Sequence, residues 1–397
     1  MKKSSYYIIL FLIFCLIEPS CFIENAKKVG FLGDIHYLYA RIRFISFFVS
    51  ILLFLLIRRP SKIFILILLY HVVILLTSIV NGNFEGGSVY IFATIFSISV
   101  ITEFFIKHSG LYIFSKALSH FMALLVLINF FTLVFFPDGM YVNERGWTEC
   151  YFLGYKNDQI FEFLPAIFFA GIISYSNDKK YHIFFHSLLI VILMSCLLNH
   201  STTSLVVTGI LTVLYFVYIN REIPKWVNIR NLFFLFLILS IFFVIWVLND
   251  SLTDYTSSIS EYAGKDIDTI QERGLIWVEA LGYIIKRPII GSGVITFGLN
   301  SFYEYGQAHN QYLDTFVIGG LLLFSVFVLQ VITISGKLKK NEKIQLYNVA
   351  LFTFLGYFIE FMAEGRRNNY LWFIVLIAAY HIPKIIKNNR KKKYNNK

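Results

Sequence analysis

"YGQAHNQYLDTFVIGG", residues 305–320, sets a polar loop with His309, Asn310, Gln311 and Asp314 at the entrance to an apolar run. Whether that run crosses a bilayer decides the fold, and the rest of the chain supplies the answer. Hydrophobic residues make up 57% of the 397 and charged residues only 15%. Apolar runs of about 18 to 22 residues, each long enough to cross a hydrocarbon core, recur along the whole length. The pattern predicts an all-α polytopic integral membrane protein with about twelve transmembrane helices. Their expected spans are 5–22, 37–57, 63–80, 88–106, 111–136, 159–176, 182–199, 202–219, 231–249, 311–334, 346–363 and 370–386. Residues 1–397 read as a single transmembrane domain without an internal repeat or a separate soluble domain.

The formal net charge is +11, but the basic residues gather in short clusters between apolar runs. Strict alternation puts Lys2-Lys3, Arg58-Arg59-Lys62, Lys179-Lys180, Arg221-Lys225-Arg230, Lys337-Lys339-Lys340-Lys343 and Lys387-Arg390-Lys391-Lys392-Lys393 on one face. An excess of Lys and Arg marks the cytoplasmic side. Both termini are therefore expected inside, with 387–397 as a basic cytoplasmic tail. This charge orients the chain; it does not recruit nucleic acid. The short turn Asn199-His200-Ser201 carries the topology, because merging the seventh and eighth spans would move the Arg58 and Lys179 clusters outside. Met1 to Cys21 has the basic start and apolar core of a signal peptide. Glu18, Pro19 and Ser20 do not form a small-x-small cleavage site, so an uncleaved first span is expected. Cys15, Cys21, Cys150 and Cys196 show no metal-ligand spacing. Cys21 and Cys150 would both lie outside and are expected to remain unpaired.

The long late outer segment, 250–310, holds the chemistry-bearing residues. It starts as a polar, Ser- and Thr-rich surface stretch and then becomes "TIQERGLIWVEALGYIIKRP", residues 269–288. Ile270, Arg273, Trp277, Leu281 and Ile284 share one face at three-to-four spacing. An amphipathic helix lying on the membrane surface is predicted, ended by Pro288, with Trp277 and Tyr283 in the interfacial layer. Arg273 on the apolar side costs desolvation unless an anion meets it; the anion could belong to a lipid-linked phosphate or to ordinary headgroups reached by snorkelling. Gly291 and Gly293 in "PIIGSGVITFG" can turn backbone N–H groups toward an oxyanion, although glycines in loops commonly serve only as turns. Asp266 and Asp268 have an Asp-x-Asp spacing seen at divalent-metal sites, without a further carboxylate nearby in sequence; no metal is expected.

At the start of the tenth span, His309 meets the positive end of a helix dipole, which favours a neutral imidazole able to accept a proton from a hydroxyl. Asp314, one turn inside, is a costly group at membrane depth. The alternative reading makes His309 and Asn310 a helix cap, with Asp314 paired to Arg366, Arg367 or Lys156. On the residues alone both readings stand.

The order "ERGLIWVEALGYIIKRPIIGSG", a spacer, then "AHNQYLDTFVIGG" resembles the bacterial O-antigen polymerase and ligase superfamily, the Wzy and WaaL type membrane glycosyltransferases. The resemblance extends over nearly the full chain in its number of spans, the late outer loop, the Arg followed by Trp, the Pro-x-x-Gly-x-Gly turn and the His-Asn pair. It implies metal-independent, cofactor-free transfer of an oligosaccharide from undecaprenyl pyrophosphate to a sugar hydroxyl on the outer face of the bacterial plasma (inner) membrane. Carried over by position, His309 would be the base and Arg273 the pyrophosphate ligand. Asn310, Asp314, Gly291, Gly293 and Arg287 would contribute to substrate binding. Family members often carry a Ser-Arg pair at the outer end of a middle helix. Here "LLNHSTTSLVV" has Ser201-Thr202-Thr203 and no Arg, so a second cation is needed. Arg145 in "NERGWTECYFLGYKNDQ" is the preferred candidate, with Lys156, Arg287, Arg366 and Arg367 behind it. Trp147, Tyr151 and Tyr155 there could stack on sugars or belong to an ordinary aromatic belt. Glu162, Glu360 and Glu364 lie near outer span ends and could line an acceptor cavity. His71, His120, Asn129 and His186 read as interhelical hydrogen-bonders.

The resemblance favours a repeat-unit polymerase for capsule or O-antigen chains. A ligase would use the same site with a different acceptor. The expected partners are the lipid-linked oligosaccharide, the phospholipid membrane, and a chain-length regulator and flippase of the same pathway. A flippase or other transporter is the alternative from another class. Transporters show matching Gly- or Pro-interrupted halves and a mid-membrane site, whereas the polar residues here collect at one outer surface.

Overall fold

The computed structural model describes residues 2–25, 30–84, 86–143, 148–176, 181–249, 267–295, 297–298, 304–338, 343–366 and 369–395. They form helices α1 (Lys2–Leu16), α2 (Ser20–Glu24), α3 (Phe31–Leu55), α4 (Lys62–Val80), α5 (Gly86–His108), α6 (Leu111–Phe135) and α7 (Ile160–Ser176). After these come α8 (Tyr181–Leu198), α9 (Thr202–Val213), α10 (Ile229–Val247), α11 (Ile267–Lys286), α12 (Gln311–Lys337), α13 (Ile344–Ala363) and α14 (Tyr370–Asn395). The strands are two short hairpins, β1 (Cys150–Tyr151) with β2 (Gly154–Tyr155), and β3 (Phe297–Gly298) with β4 (Glu304–Tyr305). The chain is an all-α polytopic membrane protein. Among the described residues, nine helices are long and apolar enough to cross a bilayer, and three shorter apolar helices, 160–176, 202–218 and 370–384, take the remaining expected positions. Asn199-His200-Ser201 is a real turn: α8 and α9 are separate helices, and His200 adopts a φ of 52° between them.

One of the shorter apolar helices, α7, lies at the centre of the packing. Every residue of α7 is buried, enclosed by α6, α8, α13 and α14. Gly171 and Gly356 set the α7–α13 distance, since a Cβ on Gly171 would fall 2.9 Å from Val349 and one on Gly356 2.7 Å from Leu164. Close approach through small residues is how membrane helices pack when lipid is as apolar as their side chains.

Polar side chains tie the bundle at its two ends. At one end, Glu103 accepts from the Ser61 N–H (2.9 Å) and hydroxyl (3.0 Å) and pairs with Lys107 and His381, joining α4, α5 and α14. Lys343 donates to the Ser176 carbonyl, and Asn348 to the carbonyls of 218, 219 and 221, at this same end. At the other end, Asn129, Gln159 and Asn199 form one hydrogen-bonded group that also holds the β1–β2 turn through the Leu153 N–H. Glu18 there pairs with His36 and Arg43. The start of α1 and the end of α14 both lie at the Glu103 end, where Tyr6 meets His120 and His381 meets Glu103. All four cysteines are buried and none forms a disulfide, and burial next to Glu24 pushes the Cys150 thiol up to about 12.

α12 is broken. Gly319 and Gly320 leave helical geometry, with Gly320 at φ 55°. The segment 288–293 inserts at the break. Ser292 and Gly293 N–H groups donate to the Val317 and Ile318 carbonyls (2.7 and 2.9 Å), while Leu321 and Leu322 N–H groups donate to the Pro288 and Ile289 carbonyls (2.8 and 3.1 Å). Those are the four groups that two regular i to i−4 bonds, 321 to 317 and 322 to 318, would have joined. Each therefore finds a new partner, as low-dielectric surroundings demand. The insert is closed from the other side by α4: Asn81 and Asn83 side chains donate to the Gly291 and Ser292 carbonyls, and the Ser78 hydroxyl accepts from Val294 N–H.

A Cβ on Gly320 would sit 2.5 Å from the Ile289 carbonyl, and one on Gly291 2.5 Å from the Ile318 carbonyl. Both positions also have positive φ. Gly320→Ala is expected to destabilise the protein by about 2 kcal/mol or more, read as a lowered unfolding temperature in detergent. Gly336→Ala, at a position with open space around it, is the matched control and should leave the temperature unchanged.

Candidate functional site

The insert at the α12 break fixes where α11 ends and where α12 begins, and three side chains meet in the space between. Arg273 comes from α11, His309 from the loop before α12, and Glu364 from the end of α13. Glu364 bridges the other two: Oε1 accepts from Arg273 Nη2 at 3.0 Å, and Oε2 lies 2.7 Å from His309 Nδ1. Arg273 Nη1 also donates to the Ala363 carbonyl at 3.1 Å. All three side chains are mostly buried, with exposures of 20% for Arg273, 14% for His309 and 7% for Glu364.

The loop carrying His309 is held at every residue around it. Asn310 caps α12, its Oδ1 accepting from the N–H groups of Tyr312 and Leu313 at 3.1 Å each, while its Nδ2 donates to Ser240 and to the Met362 carbonyl. Gln311 Oε1 accepts from the Arg366 N–H at 2.8 Å. Asp314 accepts from the Ala308 N–H at 3.2 Å, so this buried carboxylate braces the loop. Trp277 donates to the Ala308 carbonyl at 2.8 Å. Under these constraints His309 takes a φ of 47°, a left-handed geometry that costs a non-glycine residue free energy and recurs at functional positions.

Several expectations change in the folded chain. The amphipathic helix exists as α11, but Trp277 is fully buried against Val244, Phe243, Ala308 and Val317 instead of facing outward. Its neighbours Leu275 and Val278 are exposed, so α11 is apolar on two faces: one packs on α10 and α12, the other turns outward. Gly291 and Gly293 do not offer free N–H groups, since Gly291 N–H donates to the Arg287 carbonyl and Gly293 N–H to Ile318. They serve the insert. Arg287 is exposed after the end of α11, and no described contact joins it to the cluster. Lys156 is paired with Glu149, and Arg366 points to the far side of 364–366, toward Asp158 and Glu162. Burial opposes the charge on Arg366, yet Asp158 and Glu162 outweigh it and hold the pKa above the ordinary guanidinium value. Ser201, in the stretch that lacks the family's Arg, binds Asn157 and Ser204. Arg145, Trp147, Arg367 and Asp266 lie outside the described residues, as do the clusters Lys179-Lys180 and Lys339-Lys340.

Glu364 is the member that sequence reasoning valued least. It stands in "FMAEGRRNN", 55 residues from His309 and 91 from Arg273, with no local motif. Its one signal was an acidic group at the outer end of a span.

With Nδ1 donating to Glu364, the neutral imidazole has Nε2 as its acceptor nitrogen. A carboxylate that fixes the tautomer and stabilises the imidazolium is the logic of an acid–base histidine. Arg273 spends two of its N–H groups on Glu364 and Ala363, and a guanidinium has five. The cluster can thus accept a proton and present cationic donors on the same surface.

Residues 187–328 match the protein-family model Wzy_C, described as O-antigen ligase. The match spans Arg273 and His309 and supports placing the chain in the O-antigen polymerase and ligase superfamily, a type of membrane glycosyltransferase. No curated protein matches the chain.

Trp277→Phe keeps the ring and deletes the bond to Ala308. The loss of one buried hydrogen bond, about 1 to 2 kcal/mol, should loosen residues 308–313, so their amides should exchange with solvent about tenfold faster while the core of α7 is unchanged.

Proposed function

We propose that the protein is a polymerase of undecaprenyl-pyrophosphate-linked oligosaccharide repeat units, joining them into capsule or O-antigen chains on the outer face of the bacterial inner membrane. The observation that carries this reading is the Glu364 carboxylate, which orients a histidine by one oxygen and an arginine by the other at the end of the bundle opposite the described basic residues Arg59, Arg221 and Lys343. By the positive-inside rule that end is extracytoplasmic.

In this mechanism His309 Nε2 takes the proton of an acceptor sugar hydroxyl. The hydroxyl oxygen attacks the anomeric carbon of the donor, the bond from that carbon to the pyrophosphate oxygen breaks, and undecaprenyl pyrophosphate leaves with the electron pair. Glu364 stabilises the imidazolium as it forms. The remaining N–H groups of Arg273 meet charge growing on the leaving pyrophosphate, which a planar guanidinium does well. Positioning and charge neutralisation supply the acceleration, so no metal is required. The left-handed His309 backbone and the caps around it hold the base in place before substrate arrives. A chain-length regulator and a flippase of the same pathway are the expected protein partners.

Ligation is the second reading, favoured by the match to a family described as O-antigen ligase. It uses the same atoms and differs in the acceptor. Purified protein incubated with its lipid-linked oligosaccharide should yield a ladder of longer chains, unaffected by chelator. Transfer only after a distinct glycolipid acceptor is added would make the protein a ligase. His309→Ala should lower the rate by about 10² to 10⁴-fold. Glu364→Gln should lower kcat by about 10²-fold or more with little change in KM, and Glu364→Asp should recover part of the loss. Wild-type rates from folded Arg273→Ala and His309→Ala proteins would overturn the assignment.

A further inference from the structure

On the far side of the 364–366 segment lies a cavity of about 320 Å³ between α3, α5, α7 and α14. That volume is at the low end of the range for small-ligand pockets, about 300 to 1,000 Å³. Arg43, Glu162, Arg366 and Asn369 contribute its polar wall, with Tyr90 and Tyr370 beside them. Ile91, Ile95 and Leu371 form an apolar wall. Three of the polar groups are more than nine-tenths buried: Arg43 is 6% exposed, Glu162 6% and Asn369 7%. Each still carries an atom without a hydrogen-bonding partner: Arg43 Nη2, Glu162 Oε2 and Asn369 Nδ2. Buried polar atoms left unpaired cost free energy, and three at one cavity mark a place built to meet a ligand or water that supplies both donors and acceptors.

The charges decide what kind of ligand. Arg43 Nη1 is 3.1 Å from Glu18 Oε2, and Arg366 Nη1 is 3.8 Å from Glu162 Oε1. Each guanidinium therefore brings its own carboxylate, and a diphosphate entering here would meet as much negative as positive charge. A neutral polyhydroxylated ring fits better. It has hydroxyls that donate to Glu162 and accept from Arg43 and Asn369, and an apolar face for the tyrosines and aliphatic side chains.

The position fits the same answer. Arg366 donates its backbone N–H to Gln311, two residues from His309, and Gln311, Arg366 and Asn369 together line a narrow void beside the cavity. Resting on the glycosyl-transfer reading, we infer that this cavity is a saccharide subsite, holding a neutral sugar unit of the acceptor chain while its terminal hydroxyl reaches His309.

The test uses the full chain in detergent and, as probe, the repeat-unit oligosaccharide released from its carrier by mild acid, with binding followed by calorimetry. Asn369→Asp removes the unpartnered donor yet keeps the oxygen that caps Trp372. Ile91→Phe narrows the cavity without touching a polar group. Wild type should bind the saccharide, both variants should bind it at least tenfold more weakly at an unchanged unfolding temperature, and Arg273→Ala should bind it as wild type does. Equal binding by variants and wild type, or no binding at all, overturns the subsite. So does inorganic pyrophosphate binding that Asn369→Asp abolishes. Intact saccharide binding in a protein that never lengthens chains would count against the polymerase and leave the subsite standing.

Discussion

The arrangement depends on one backbone exchange. A helix broken inside a bilayer exposes two carbonyls and two N–H groups that lipid cannot satisfy, and each such group costs several kcal/mol if left alone. Here the segment 288–293 satisfies all four, taking the place of the two helical bonds lost at Gly319–Gly320. Because the same segment is continuous with α11 and is clasped by Asn81 and Asn83, the exchange fixes the end of α11, the first turns of α12 and the C-terminal end of α4 against one another. Arg273 and His309 are brought to one carboxylate as a consequence of that geometry.

The cluster illustrates how a few charged groups can be kept buried at the end of a helical bundle. Glu364 is surrounded by an arginine, an imidazole and the helix end that carries it, so no charge is buried without an opposing one. The loop around His309 is secured by Asn310, Gln311, Asp314 and Trp277, each bonding to backbone. These four maintain a strained histidine geometry that the chain would not adopt by itself. Rigidity of this kind reduces reorganisation when a proton moves.

Several residues owe their surroundings to partners distant in sequence. Trp277 reads as an interfacial anchor until α10 and the Ala308 carbonyl are seen to enclose it. Gly291 and Gly293 have the look of an anion nest, but their N–H groups are claimed elsewhere by backbone carbonyls. Glu364 has no motif to announce it, because the geometry that matters is supplied by α11 and by the loop before α12. Asp314 braces the loop by accepting from the Ala308 N–H, a contact that six residues of chain and the start of α12 bring about.

The sequence by itself determined the class of protein and the positions of its helices, and the order of its residues singled out Arg273 and His309, around which the chemistry is proposed. These follow from hydropathy and residue order, which are local and additive along the chain. Only the tertiary structure decided that α12 is broken and repaired by 288–293, that Glu364 joins the arginine to the histidine, and that Arg366 faces a separate cavity with Arg43. Those features are pairings between segments far apart in the chain, and their energies arise from satisfying buried polar groups across that distance, which no window of sequence can contain.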